Sequence, residues 1–134
     1  MTATVHPSPF LRRVWIADAI VSALTAGLML TENAMLSSLL GVPAPLLVTA
    51  ALGTLLYAAY LVWAAARAAL PRAAGWIPVL LNIVWAADCL ALALGVAGRP
   101  GASGEILLAV QVVGALVFAE LEFMGLRRAS TVVA

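Results

Sequence analysis

The chain contains very little charge and no lysine. Charged residues make up 10% of its 134 positions and hydrophobic residues 65%, and every residue in the Lys+Arg count of 7 is an arginine. A soluble domain carries roughly a quarter charged residues, and a soluble fold with this composition would expose large apolar patches and aggregate. The net charge of +1 provides no clustered basic face for nucleic acid. We therefore predict a lipid bilayer as the environment and no nucleic-acid partner.

Cysteine and histidine occur once each, as Cys89 and His6. One cysteine cannot form an intrachain disulfide, and this pair cannot assemble a Cys/His metal site. The sequence also lacks a serine–histidine–acid set, a glycine-rich phosphate loop and a second histidine for haem, so we expect no cofactor and no enzymatic activity. His6 lies in Met1–Phe10, a segment with two prolines that we predict to be a short disordered lead.

Long hydrophobic runs are what the chain does contain. They predict helices at about 13–37, 44–68, 75–98 and 104–127, which at about 1.5 Å per residue are long enough to cross a hydrocarbon layer of about 30 Å. Pro78 is expected in the first turn of the third helix. Ser103 is expected to cap the fourth, with Glu105 in its first turn. The predicted fold class is all-α: a polytopic membrane protein with a four-transmembrane-helix up-down bundle, forming a single membrane domain over residues 1–134.

The arginines predict the orientation of this bundle. With four spans, Arg99 lies alone on one side, and the others share the opposite side: Arg12, Arg13, Arg67, Arg72, Arg127 and Arg128. The positive-inside rule then places both termini in the cytoplasm. The use of arginine instead of lysine, together with abundant alanine, indicates a GC-rich bacterial genome, so we predict the bacterial inner (cytoplasmic) membrane. Three aromatic residues near the end of the second helix are expected to anchor it at the membrane surface, namely Tyr57, Tyr60 and Trp63.

The third helix carries an amide and a carboxyl group in the run Asn82-Ile-Val-Trp-Ala-Ala-Asp88. At 100° per residue these two side chains are about 120° apart, so we expect two separate sites. Asn82 is predicted to pack against the first and fourth helices. Asp88 lies about ten residues from Arg99, at a depth where a carboxyl group is neutral or paired unless water reaches it. Gln111 in the fourth helix is its predicted partner.

Asp18 and Glu122 are expected nearer the membrane surface. Each lies five residues from an arginine, Arg13 or Arg127, and we expect each carboxyl group either to pair with that arginine or to reach interfacial water. The alternative is that the polar residues only hydrogen-bond across helices and fix their packing. The candidates for ligand or proton binding are Asp88, Asn82, Gln111, Asp18, Glu122 and Trp85.

Two features are predicted to form contacts with another subunit. Glu120 points to the side of the fourth helix opposite Gln111 and Glu122. In the second helix a stripe of small residues permits the close approach of a neighbouring helix, namely Ala50, Thr54 and Ala58. These surfaces predict a homo-oligomer or membership of a larger membrane complex.

Several short motifs together resemble a group of small, uncharacterised bacterial inner-membrane proteins with four helices. They are Arg-Arg followed by Ala-Asp-Ala around Asp18, Leu-Leu-Gly-Val-Pro at 39–43, Asn-x-x-Trp-x-x-Asp at 82–88, and Ala-Glu-x-Glu-x-x-Gly-Leu-Arg-Arg at 119–128. The resemblance covers nearly the whole chain and implies a topology without a mechanism. In size and span number the chain is also similar to small multidrug exporters, which carry a glutamate in the first helix where this chain has Asp18 nearer the membrane surface.

Two functions remain open at this point. In the first, the polar residues line a cavity that binds or transports a small or lipophilic solute, with proton coupling through Asp88 and a dimer or larger assembly forming the pathway. In the second, the chain is an accessory subunit or assembly factor of a larger membrane complex, and Glu120 and the small-residue stripe are its docking surfaces.

Overall fold

The computed structural model describes residues 2–133, which form five α-helices and three short β-strands. In chain order these are β1 Ala3–His6, α1 Pro9–Thr31, α2 Asn33–Leu40, α3 Ala44–Ala66, β2 Leu70–Pro71, α4 Arg72–Ala93, α5 Ala102–Arg128 and β3 Ser130–Val133. The helices α1, α3, α4 and α5 are long and apolar enough to cross a membrane. The prediction of a helical fold with four such helices is confirmed.

The four long helices pack as two pairs. α1 packs along α3 and α4 along α5, and a shorter contact between α1 and α5 joins the pairs. α3 and α4 come close at very few positions. Two apolar cores fill the ends of the bundle, one around the fully buried Leu11, Trp15 and Leu61 and the other around Ala26, Leu47 and Leu108. The space between the two pairs is therefore less densely filled than the space within each pair.

The first helix begins where the sequence provides a cap, and it ends earlier than predicted. The Ser8 hydroxyl accepts the Leu11 N–H at 3.2 Å, and Pro9 occupies a position where its missing N–H costs nothing. We expected a single helix to residue 37, but α1 and α2 are separated at Glu32. The Asn33 amide donates to the Met29 carbonyl at 3.2 Å and to the Ala44 carbonyl at 3.3 Å. A side chain that competes for backbone carbonyls in this way favours a break in the helix.

The third long helix, α4, starts at Arg72 instead of Gly75, so Pro78 lies inside it and not in its first turn. A proline inside a helix removes the N–H that would bond the carbonyl four residues earlier, which here is that of Ala74. The Tyr60 hydroxyl of α3 donates to this carbonyl at 2.7 Å. The neighbouring helix thus replaces the hydrogen bond that Pro78 cannot make.

The predicted cap of α5 is also wrong, because the helix begins at Ala102 with Gly101 as its cap and Ser103 already in its first turn. The Gly101 N–H donates to the Leu39 carbonyl at 3.0 Å, and this bond fixes the start of the helix two residues earlier than predicted. Gly41, which ends α2 at a φ of 66°, lies against the backbone of Arg99 so closely that a Cβ would collide with its carbonyl. Only glycine satisfies both conditions. Glu105 is in the first turn of α5, as predicted.

A small antiparallel sheet closes the opposite end of the bundle. Its strand order is β2-β1-β3, with Val5 opposite both Leu70 and Thr131. Val5 is only 1% exposed. The prediction of a disordered lead is therefore wrong for Ala3–Phe10, while Met1 lies outside the described residues.

This sheet places both ends of the described chain and the α3–α4 connection at one end of the bundle. α2 and the 94–101 loop meet at the other end, where Gly41 and Gly98 are in backbone contact. Successive long helices therefore run in opposite directions, and the bundle has the arrangement expected of four alternating spans.

Candidate functional site

Four buried or half-buried polar side chains, one from each long helix, meet in the interior of the bundle. The two N–H donors of the Asn82 amide in α4 are shared among three acceptors: Asp18 Oδ2 of α1 at 2.8 Å, Tyr57 Oη of α3 at 3.0 Å and Glu122 Oε2 of α5 at 3.1 Å. We call these residues the polar cluster. Asn82 packs against the first and fourth long helices, as the sequence predicts, and it also joins the two helix pairs.

Asp18 is the most fully bonded member of the polar cluster. It is 2% exposed, and it accepts hydrogen bonds from Tyr57 at 2.6 Å and Ser22 at 3.1 Å in addition to that from Asn82. The expected pairing with Arg13 is not found, because the donors to the Asp18 carboxylate within residues 2–133 are Ser22, Tyr57 and Asn82. The structure thus holds the carboxyl group with neutral donors.

Glu122 is completely buried and only partly satisfied. Its Oε2 accepts from Asn82, whereas Oε1 has no hydrogen-bond partner among residues 2–133. From the closeness of Arg127, the sequence interpretation gave this residue either that arginine or interfacial water as its partner. In the structure its side chain is instead turned into the bundle, where it shares one amide donor with Asp18.

Tyr57 was predicted to be an interfacial anchor, and this prediction is wrong. Its hydroxyl completes the polar cluster. A signal for this role was present in the sequence, since Tyr57 follows Thr54 by three residues and Ala50 by seven and so shares a helical face with both. Ala50 and Thr54 line the internal cleft described below, and Ala58 is in the core. The small-residue stripe thus faces the bundle's own interior, and its contact with another subunit stays a prediction.

A cleft of about 460 Å³ lies between the two helix pairs and reaches the polar cluster. We call this cleft the polar chamber, and all four long helices line it. Its polar or aromatic lining residues are Asp18, Ser22, Thr25, Thr54, Tyr57, Asn82, Trp85, Asp88, Gln111 and Phe118. Asn82 and Asp88 therefore line one space. Their angular separation on α4 led us to expect separate sites, but the cleft is wide enough to include both faces.

Gln111 does not bond Asp88, contrary to the prediction. Its Oε1 accepts the indole N–H of Trp85 at 3.1 Å. Within residues 2–133, Asp88 takes part in none of the side-chain hydrogen bonds, and its side chain is exposed. Because Asp88 also lines the polar chamber, its carboxyl group is open to whatever occupies that space.

A second cavity of about 630 Å³ lies toward α2 and is almost entirely apolar. Its walls include Leu36, Leu47, Leu92 and Leu108, and Glu32 also lines it. Five residues line both this apolar chamber and the polar chamber, namely Thr25, Ala50, Trp85, Asp88 and Gln111. The two chambers are thus adjoining parts of one elongated space, with Asp88 where they meet.

The remaining predicted residue, Glu120, lies outside this space. It is exposed on α5, beside Leu116 and Val117, which are exposed as well. Among the described residues, no group of three or more His, Cys, Asp or Glu side chains is arranged to hold a metal ion.

No protein-family model matches the chain, and neither a curated protein nor a solved structure shows significant similarity to it. The resemblance to small bacterial inner-membrane proteins therefore stays a prediction from the motifs. Inferences about function depend on the geometry of the two chambers.

Proposed function

We propose that this chain is an integral membrane protein that binds or transports a small or lipophilic solute in the space between its two helix pairs. The observation that carries the proposal is the elongated cleft, which has a polar chamber at one end and an apolar chamber at the other. Cavities that take small molecules usually have volumes of about 300–1,000 Å³ and are mostly apolar with a few polar groups. Both chambers have volumes in this range.

The outer surface of the bundle supports insertion in a bilayer. Large apolar side chains are exposed on the long helices, for example Leu24 at 64%, Leu56 at 74% and Leu80 at 57%. Such a surface is stable in lipid and would aggregate in water. The use of arginine in place of lysine favours the bacterial inner membrane, and the distribution of the arginines favours both termini in the cytoplasm. The sheet end, where most arginines lie, would then be the cytoplasmic end.

Solute binding can be tested by filling the polar chamber. Gly114 of α5 lines it, and a Cβ added there meets no atom within 4 Å, so Gly114→Leu would fold and extend into the empty volume. Gly27 of α1 is the matched control, because its Cβ position is equally open and it lines neither chamber. The probe is N-phenyl-1-naphthylamine, a neutral fluorescent compound, added to the protein in lipid nanodiscs.

Energy transfer from tryptophan to this probe should saturate for the wild type and for Gly27→Leu. Gly114→Leu should weaken probe binding about ten-fold or more, since a leucine side chain would occupy much of the space that the probe needs. Equal binding by all three proteins, or no saturable component in any of them, would overturn the proposed function.

A second candidate function is that of an accessory subunit in a larger membrane complex, and one observation favours it. The carboxyl group of Glu120 lies on the outer apolar face of α5, where a charged group is costly without a partner. If a partner subunit supplies a donor, Glu120→Gln should release a protein that co-purifies from native membranes in mild detergent. Glu105→Gln, the same change in the first turn of α5, should retain that protein. An identical set of co-purifying proteins in both variants would contradict this candidate.

A further inference from the structure

At the junction of the two chambers, Asp88 is the carboxyl group that the protein leaves available to a ligand. It lines both chambers, and among the described residues no side-chain hydrogen bond involves it. Asp18 has three donors of its own, and Trp85 and Gln111 at the junction bond to each other. A ligand that spans the junction of the two chambers therefore meets the Asp88 carboxyl group, a hydrogen-bond acceptor to which no side chain of the described residues donates.

The charge around this space has a single sign. Asp18 and Asp88 line the polar chamber, and Glu32 and Asp88 line the apolar one, whereas no arginine or histidine of residues 2–133 lines either. An anionic head group would be repelled, and a cation would be attracted, more strongly here than in water. Hydrogen bonding sharpens the choice, because a primary ammonium group carries three N–H donors for a carboxylate, and a quaternary ammonium group carries none.

The apolar chamber accounts for the other end of such a ligand. It begins at Asp88 and extends toward α2 between leucine side chains, and its volume of about 630 Å³ contains little polar surface. Burial of a hydrocarbon chain there is favourable when the chain comes from water, because apolar surface is removed from the solvent. A polar solute without a tail would leave this chamber unfilled.

We infer that the cleft binds a long-chain primary amine, with the ammonium head paired to Asp88 and the hydrocarbon tail in the apolar chamber. The inference rests on the proposed function, because it assigns the ligand class of the same cleft. The indole ring of Trp85 lies one helical turn from Asp88 and is fixed by Gln111. It forms part of the wall beside the head group.

The test uses three probes that share one tail, a dodecyl chain with a nitroxide near its end. They carry a primary amine, a trimethylammonium group and an alcohol, respectively. Each is titrated into the protein in lipid nanodiscs, and the motionally restricted fraction of its electron paramagnetic resonance spectrum is measured. The amine should bind about ten-fold more tightly than the other two, since it alone combines a positive charge with N–H donors for the Asp88 carboxylate.

Two substitutions assign the effect to Asp88. Asp88→Asn should remove the preference for the amine, and Asp88→Glu should retain most of it. Both variants should fold, because the Asp88 side chain is exposed and makes no hydrogen bond with residues 2–133. Glu120→Gln removes a carboxyl group from the outer face of the bundle and should leave all three affinities unchanged.

The outcomes separate this inference from the proposed function. Saturable and equal binding of the three probes would support a solute site and overturn the amine assignment. A preference for the amine that persists in Asp88→Asn would overturn the role of Asp88. Absence of any saturable restricted component would overturn both the inference and the proposed function for lipophilic solutes.

Discussion

The hydrogen bond from Tyr60 to the Ala74 carbonyl should depend on Pro78. Tyr60→Phe removes the hydroxyl that satisfies this carbonyl, which Pro78 deprives of its helical donor. An unsatisfied buried carbonyl costs about 1–3 kcal/mol, whereas hydrogen bonds between membrane helices average about 0.6 kcal/mol. Because Tyr60 is half-buried near the end of its helix, we expect a destabilisation of about 1 kcal/mol.

Restoring the helical donor should make the tyrosine dispensable. In a Pro78→Ala background, residue 78 again has an N–H for the Ala74 carbonyl, so adding Tyr60→Phe should cost no more than about 0.3 kcal/mol. The coupling free energy of the double-mutant cycle is then about 0.7 kcal/mol or more. Any intrinsic effect of Pro78→Ala on stability cancels in the cycle.

The assay is reversible unfolding in mixed micelles of dodecyl maltoside and sodium dodecyl sulfate, followed by far-ultraviolet circular dichroism for the four proteins of the cycle. Our reasoning would be refuted if Tyr60→Phe cost the same free energy with and without Pro78. Such a result would show that the hydroxyl contributes independently of the missing N–H.

Three further predictions concern stability and use the same unfolding assay. Asn82→Ala should destabilise the protein by about 2–4 kcal/mol, because Asp18 and Glu122 each lose a buried donor; a loss below about 1 kcal/mol would show that water replaces the amide. Gly53→Ala should stabilise it by about 0.5–1 kcal/mol, since an added Cβ meets nothing within 4 Å and glycine disfavours a helix interior; destabilisation would mean that the chamber is narrower than the structure indicates. Gly41→Ala should cost more than about 1 kcal/mol because of its φ of 66° and the nearby Arg99 backbone, and an unchanged unfolding midpoint would contradict that turn geometry.

The long helices were predictable because a bilayer imposes one simple requirement. A span needs about 20 apolar residues. The chain contains four such segments, each with few charged residues inside it. The break at Glu32 was not predictable by this rule, since it depends on the amide of Asn33 reaching the Ala44 carbonyl. The terminal sheet was missed for a similar reason, because β1 pairs with residues that lie far away in the sequence.

The polar residues show where helical angles are sufficient and where they are not. The position of Asn82 between the first and fourth long helices followed from its place in α4, and the structure has it there. The partner of Asp88 did not follow, because Trp85 competes for Gln111 and no helical angle predicts which donor wins. The pairing of Asp18 with Arg13 also failed, since closeness along the helix axis does not report whether a side chain faces the interior, where Ser22, Tyr57 and Asn82 donate to it.

The terminal sheet also has a consequence for the order in which the protein is made. Thr4 donates to the Val132 carbonyl at 3.2 Å across a sequence separation of 128 residues. β1 therefore has no β3 partner until α5 has been synthesised, and closing so long a loop is slow compared with forming a helix pair. During synthesis the helices would pack before the three-stranded sheet is complete. The pairing of β1 with β3 would be among the late steps of folding, after the packing of α4 on α5.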